Sequence, residues 1–128
     1  MSKPKILELE EEIGKLKVSK RKTLWENPNP SNEMGADTII NLTSGDYDEL
    51  IWFYIFSNST GNLKNQQSLS CQKGCTITLF TIGYSSNATV RRTVERISDT
   101  QYKAAVGKRD ANDEPNCCIP VAVVGIKY

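Results

Sequence analysis

The sequence predicts an all-β chain: an antiparallel β-sandwich or jelly-roll-like head carrying a short N-terminal coiled-coil helix. Beyond Thr23 the apolar residues fall in short runs separated by turn formers, at the length and spacing of strands. Seven or eight such runs with no helical period among them point to two packed sheets. Before Ser19 the period differs, because Ile6, Leu9, Ile13 and Leu16 are spaced 3, 4, 3, the a and d positions of two heptads.

The composition divides with the period. Residues 1–22 hold the acidic run Glu10 to Glu12 and the basic cluster Lys15, Lys17, Lys20, Arg21 and Lys22, whereas residues 23–128 are rich in Ser, Thr, Asn and β-branched side chains. We therefore divide the chain into an oligomerising helix, 1–22, and a head, 23–128. In the heptad register Glu12 is a g position and Lys17 the following e, which pair between parallel helices. Early acids and late bases also match the helix macrodipole. A helix of fewer than about 12 to 15 residues is marginal alone in water, and Gly14 costs it roughly 1 kcal/mol against Ala. It must borrow stability either from other copies, as a stalk, or from its own head, as a packed amphipathic helix.

In KTLWENPNP, residues 22–30, each proline fixes its own φ and drives the preceding Asn to extended geometry, which predicts a stiff strap leading out of the helix, with Trp25 packing that exit against the head. The strands then follow in order. ADTIINL at 36–42 stops at Ser44-Gly45, and LIWFYIF at 50–56 stops at NSTGN. QSLSCQ at 67–72 stops at Lys73-Gly74, CTITLFTI at 75–82 at GYSSN, and ATVRRTVERI at 88–97 at SDT. TQYKAAV at 100–106 and CCIPVAVVGIKY at 117–128 complete the series. The unbroken apolar run 50–56 predicts a strand buried on both faces, between the core and a neighbouring subunit.

The 128 residues, 38% hydrophobic and 24% charged, suffice for one ordinary core. With 16 Lys+Arg against 15 Asp+Glu the net charge is +1, which argues against a nucleic-acid module that must neutralise phosphates. No run reaches the roughly 20 apolar residues that span a bilayer, and the first residues lack the apolar core of a secretory signal, so the expectation is a chain made in the cytoplasm without a membrane partner. There is no histidine, which excludes Ser-His-Asp and Cys-His nucleophilic sites, and no Gly-rich phosphate loop. Asp46, Asp48 and Glu49 would be the material for a glycosidase pair, but SGDYDEL reads better as a turn whose Asp side chains cap backbone amides. No enzyme activity and no cofactor are expected.

The four cysteines read mainly as small buried hydrophobes. Strand neighbours point to opposite faces, so Cys117 and Cys118 should not converge on one ion, and no metal is expected. A bridge from Cys71 or Cys75 to the last strand stays open in an oxidising setting. The sequons at Asn41, Asn58 and Asn87 are coincidences of an Asn-, Ser- and Thr-rich chain. Arg91, Arg92, Arg96 and Lys103 form a basic group on two neighbouring strands, read either as contacts for an anionic polymer or as a solvated face offsetting Glu95 and Asp99.

Several motifs also stand in a familiar order: Leu24-Trp25-Glu26-Asn27-Pro28-Asn29-Pro30, then Ala36 with Thr38-Ile39-Ile40-Asn41-Leu42, then Asp46-Tyr47-Asp48-Glu49-Leu50, and last Ile119-Pro120 with Gly125-Ile126-Lys127. Over about residues 23–127 the chain resembles the C-terminal head domains of tail and receptor-binding proteins, from tail fibres or baseplates, of phages and prophages of Gram-positive bacteria. The resemblance implies a trimeric β-sandwich head on a stem at the tip of the virion tail, made in the bacterial cytoplasm, binding host cell-surface saccharide and contacting other tail or baseplate proteins without catalysis. The chain departs from the pattern in its cysteines and in the charged 107–114 segment.

Loops at the end of the sandwich away from the helix are the expected ligand site. The candidates are Asn58 and Asn62 in NSTGN, Tyr84 and Asn87 in YSSN, and Asp110, Asn112 and Asp113 in KRDANDE. Their amides and carboxylates suit paired sugar hydroxyls, and Tyr84 offers a stacking face; turn formers are equally polar when they only turn. The competing class is a structural decoration or baseplate subunit whose loops bind proteins. The heptad residues Ile6, Leu9, Ile13 and Leu16 and the 50–56 run together predict an obligate homo-oligomer, a trimer in the family's pattern. Sedimentation equilibrium on the full chain should return three chains per particle at micromolar concentration; a monomer would contradict both the stalk and the family resemblance.

Overall fold

Alternation of side chains along extended backbone decides which residues meet across this molecule. The computed structural model describes residues 20–57, 66–82 and 89–128. Among these the chain is all-β, with no helix, and its strands are β1 (Lys20–Glu26), β2 (Thr38–Asn41), β3 (Glu49–Ser57), β4 (Gln66–Gln72), β5 (Ile77–Ile82), β6 (Thr89–Arg96), β7 (Gln101–Ala104), β8 (Lys108–Arg109), β9 (Asn112–Asp113) and β10 (Cys117–Lys127). The expected heptad positions Ile6, Leu9, Ile13 and Leu16 lie outside the described residues.

Two antiparallel sheets form, an arrangement consistent with a β-sandwich. One is four-stranded in the order β1-β10-β3-β4. The other is built around β6, with β5 on one edge and β7 and then β8 following each other along the opposite edge, β2 beyond β7 and β9 beyond β8. Leu50, Trp52, Tyr54 and Val123 of the first sheet share one buried core with Ile40, Leu79, Val94 and Tyr102 of the second. Trp52 meets Tyr102 edge to face at 5.2 Å between centroids, a geometry worth about 0.5 to 1.5 kcal/mol beyond its burial.

The basic residues Lys20, Arg21 and Lys22 are strand, not the end of a helix, and pair antiparallel with Lys127, Ile126 and Gly125. Lysines on an edge strand block further pairing, so the charge that suggests a helix terminus also suits a sheet edge. The Asn-Pro strap is a crossover between sheets. Asn27 donates from its backbone to Val121 O and from its side chain to Pro120 O, and its Oδ1 accepts the Asn29 N–H. Trp25 lies in β1, partly buried against the core. Along the run 50–56, Leu50, Trp52, Tyr54 and Ile55 are buried, whereas Ile51, Phe53 and Phe56 are only half-buried within the chain itself.

The end of the molecule where β1 begins is tied by charge. Tyr47 Oη donates to Asp99 O at 2.6 Å, Arg96 Nη2 pairs with Asp99 at 2.7 Å, and Lys73 Nζ donates to Gly45 O at 2.8 Å. The Arg96 guanidinium holds the Asp99 carboxyl below its ordinary range. Asp48 accepts the Tyr128 N–H at 2.8 Å, which lowers its pKa, and Lys127 pairs with both Asp46 and Asp48. These carboxylates cap backbone and neutralise a lysine.

The other end depends on Arg92. It points inward from β6 and is fully buried, at 0% exposure. Nε donates to Cys118 O at 3.0 Å and more weakly to Cys117 O at 3.3 Å; Nη1 donates to Ala105 O at 2.7 Å and Met34 O at 2.9 Å; Nη2 donates to Cys117 O at 3.0 Å and Pro115 O at 3.1 Å. The fork fits because the acceptors stand where the chain leaves its ladders: the strap, the break between β7 and β8, and the turn into β10. Burial pulls the Arg92 pKa down, but the hydrogen bonds satisfy its donors without a carboxylate among these partners. The expected basic group therefore does not form one surface, since Arg92 is core while Lys103 pairs with Glu95 at 3.7 Å on the outer face.

Cys118 departs from strand geometry, at φ 48. Both Cys117 and Cys118 are buried, and the left-handed backbone at Cys118 interrupts the alternation expected of strand neighbours.

Arg92→Met keeps the length of the side chain and removes its donors. With about 1 to 3 kcal/mol lost for each buried polar group left unpaired, urea denaturation should show a loss of at least about 3 kcal/mol. Lys103→Met, which breaks an exposed pair, should cost under about 1 kcal/mol. Equal and small effects would show that Arg92 does not hold this end.

Candidate functional site

Antiparallel alternation brings the strand ends that flank 58–65 and 83–88, together with the β8–β9 turn, to one end of the molecule. β3 ends at Ser57 and β4 begins at Gln66; β5 ends at Ile82 and β6 begins at Thr89; β8 and β9 turn over Asp110 and Ala111. The strand ends are tied across the sheets. Tyr54 Oη donates to Phe80 O at 2.8 Å, and Gln67 Nε2 to Thr81 Oγ1 at 2.8 Å. Ser57 pairs with Cys117, which starts the last strand. Lys20, by contrast, pairs with Lys127, in the same sheet as Glu49 and Gln72, at the far end.

Of the expected ligand residues, Asn58, Asn62, Tyr84 and Asn87 lie outside the described residues. The strands that flank them leave at this common end. Asp110, Asn112 and Asp113 are placed directly, and they are exposed on the β8–β9 hairpin rather than in a plain loop. Asp110 adopts φ 53, a left-handed value that Asp tolerates better than most residues. Its N–H donates to Thr89 O at 2.9 Å, its Oδ1 accepts the Thr89 N–H at 3.3 Å, and its carbonyl accepts from Arg91 Nη1 at 2.9 Å. The hairpin is thus sewn to the start of β6. Asp113 is held by an ion pair with Lys108, and Asn112 carries an exposed amide.

Two features of this end escape a search for turn formers. Phe80, on β5, is 49% exposed and sits opposite Arg91 on the outer face of its sheet. It occupies the parity of Thr78, which is the outward one, and an aromatic at a polar parity is the signal that would have found it. The strap also borders a cleft of about 230 Å3 whose lining includes Asn27, Asn29, Asn32, Met34 and Thr38. Met34 N donates to Pro115 O and its carbonyl receives Arg92, so the cleft flanks the same end.

Chemically the end offers amides, carboxylates, hydroxyls and one flat apolar ring. Among the described residues no group of three or more His, Cys, Asp or Glu is placed to hold a metal ion, and no helix is long and apolar enough to cross a membrane. The chain matches no protein-family model, no curated protein and no solved structure. The site is therefore argued from its own geometry.

Proposed function

We propose that the chain is the non-catalytic, receptor-binding head of a phage or prophage tail, attaching as a homo-oligomer, a trimer, to a host cell-surface saccharide. The observation that carries this reading is polarity: the strand ends flanking 58–65 and 83–88 lie with the β8–β9 turn at one end, while residue 20, where the expected stalk would join, lies at the other. The order of motifs along the chain supports the family, and a jelly-roll-like head on a helical stalk is the architecture that goes with it. Exposed Asn112, Asp110 and Asp113 on the β8–β9 hairpin, with the ring of Phe80 on the far side of β6, supply the polar groups and flat apolar surface that sugars require. Virion tail-tip placement, with other tail or baseplate proteins as neighbours, belongs to the same proposal.

A second reading, a structural decoration or baseplate subunit that binds proteins, has its own observation. The outer face of the four-stranded sheet carries half-buried Phe53, Ala122 and Val124 around an open cleft of about 360 Å3 bordered by Thr23 and Glu26. Apolar side chains on an open sheet face suit a protein surface better than a sugar.

A glycan array probed with the intact oligomer, together with host-cell binding, separates the two. Tyr84→Ala, Asn87→Ala and Asn112→Ala, each with fold and oligomer verified, should weaken saccharide binding by about tenfold or more, or roughly 1.4 kcal/mol. Parent-like binding by all three would remove this end as the site and leave the structural subunit.

A further inference from the structure

Neighbouring cysteines in a regular strand face away from each other, but the backbone at Cys117 and Cys118 is not regular strand. The left-handed φ of 48 at Cys118 breaks the alternation, and both residues are buried, at 2% and 0% exposure. Interaction with the Cys118 thiol draws the Cys117 thiol below its ordinary pKa, aided by the Arg92 guanidinium, while the same interaction and burial push the Cys118 thiol up. Cys117 Sγ further approaches Lys108 O at 3.5 Å. A left-handed φ at a non-glycine residue inside a strand is uncommon backbone that the surroundings must enforce.

We propose that Cys117 and Cys118 are a covalent modification site, a vicinal dithiol that closes to a disulfide between adjacent residues when it meets a low-molecular-weight disulfide. The Cys117 thiolate attacks one sulfur of the small disulfide and displaces a thiolate. The Cys118 thiol then loses its proton, and its sulfur attacks Cys117, releasing the second small thiol. The protein loses two electrons and two protons, and the reagent gains both.

Geometry makes the product labile. Adjacent Cα atoms stand about 3.8 Å apart across a trans peptide, short of the roughly 4.4 to 6.8 Å of ordinary disulfides, so the ring is strained and easily reduced. Closure also constrains the peptide whose oxygen, Cys117 O, receives both Nε and Nη2 of Arg92. The redox state would thereby reach the contacts that hold the strap and the β8–β9 hairpin. Access lies under that hairpin: Gly107, just before β8, sits so close that a Cβ there would stand 2.7 Å from Cys117 Sγ. The β8 and β9 strands are two residues each, which makes this cover one of the cheapest elements to open.

The test uses the full chain carrying Cys71→Ser and Cys75→Ser, which leaves Cys117 and Cys118 as its thiols. After incubation with oxidised glutathione and denaturation, alkylation and intact mass are read. The expected result is loss of both alkylatable thiols, a mass lower by two hydrogens, no retained glutathione, and full return of both thiols with reduced glutathione. The further variant Cys118→Ser should instead retain one glutathione on Cys117. Two thiols still fully alkylatable, a persistent glutathione adduct on the parent pair, or a disulfide linking two chains would each overturn the proposal. These outcomes are read with residues 117 and 118 unchanged, so a folding defect in the Cys118→Ser variant does not alter them.

Discussion

The fully buried guanidinium of Arg92 answers a constraint set by the backbone. Carbonyls that leave a sheet ladder inside a protein must find donors, and around the start of β10 this chain has several: Met34 in the strap, Ala105 at the break between β7 and β8, Pro115 before β10, and Cys117 and Cys118 within its irregular start. A single planar fork collects them. Water would be the ordinary alternative, but the same region closes the core over Ile119 and Val90. Removing the fork would leave unpaired acceptors from separate stretches of chain in one place. The irregular segments can exist at this end because one strand, β6, projects a long cation inward at the right parity.

The consequence is a molecule with two differently built ends. Where β1 begins, exposed or half-exposed ion pairs and Tyr47 do the tying, through Asp99, Lys73, Asp48 and Lys127. At the opposite end the ties are buried and centred on Arg92, while the surface is left to polar turns, Asn112 and the ring of Phe80. Surface ion pairs contribute little each, whereas a satisfied buried network fixes geometry. A rigid base under polar surface groups is the arrangement on which binding sites are commonly built, and it is why the proposed ligand site and the proposed redox-sensitive pair fall at the same end of the molecule as Arg92.

How far the sequence discloses this follows from what kind of signal each part leaves. β2 to β7 and β10 fall on the apolar runs at 36–42, 50–56, 67–72, 75–82, 88–97, 100–106 and 117–128, because alternation and turn formers are local. β1 is different: Lys20, Arg21 and Lys22 look like a helix end, and only pairing with β10 makes them a strand. The β8–β9 hairpin, with two-residue strands, is too short for any period to show. At the candidate site, Asp110, Asn112 and Asp113 are legible as polar turn residues, but Phe80 needs the strand's parity to be known first. Arg92 is hidden most completely. Beside Arg91 and near Arg96 it reads as one of a surface cluster, and nothing local says that alternation sends it inward to carbonyls 13 to 58 residues away. The turn of Cys118 against its strand is likewise a tertiary effect.

Arginine side-chain NMR addresses the central claim without altering the molecule. With the guanidinium nitrogens labelled, exchange of each arginine's Nε–H and Nη–H with solvent can be followed. Arg92 should give resolved Nε and Nη signals that exchange only as the protein unfolds, in contrast to the fast exchange of Arg21, which lies at an exposed position. If every guanidinium exchanges at the solvent rate, Arg92 is not the buried fork that holds this end together.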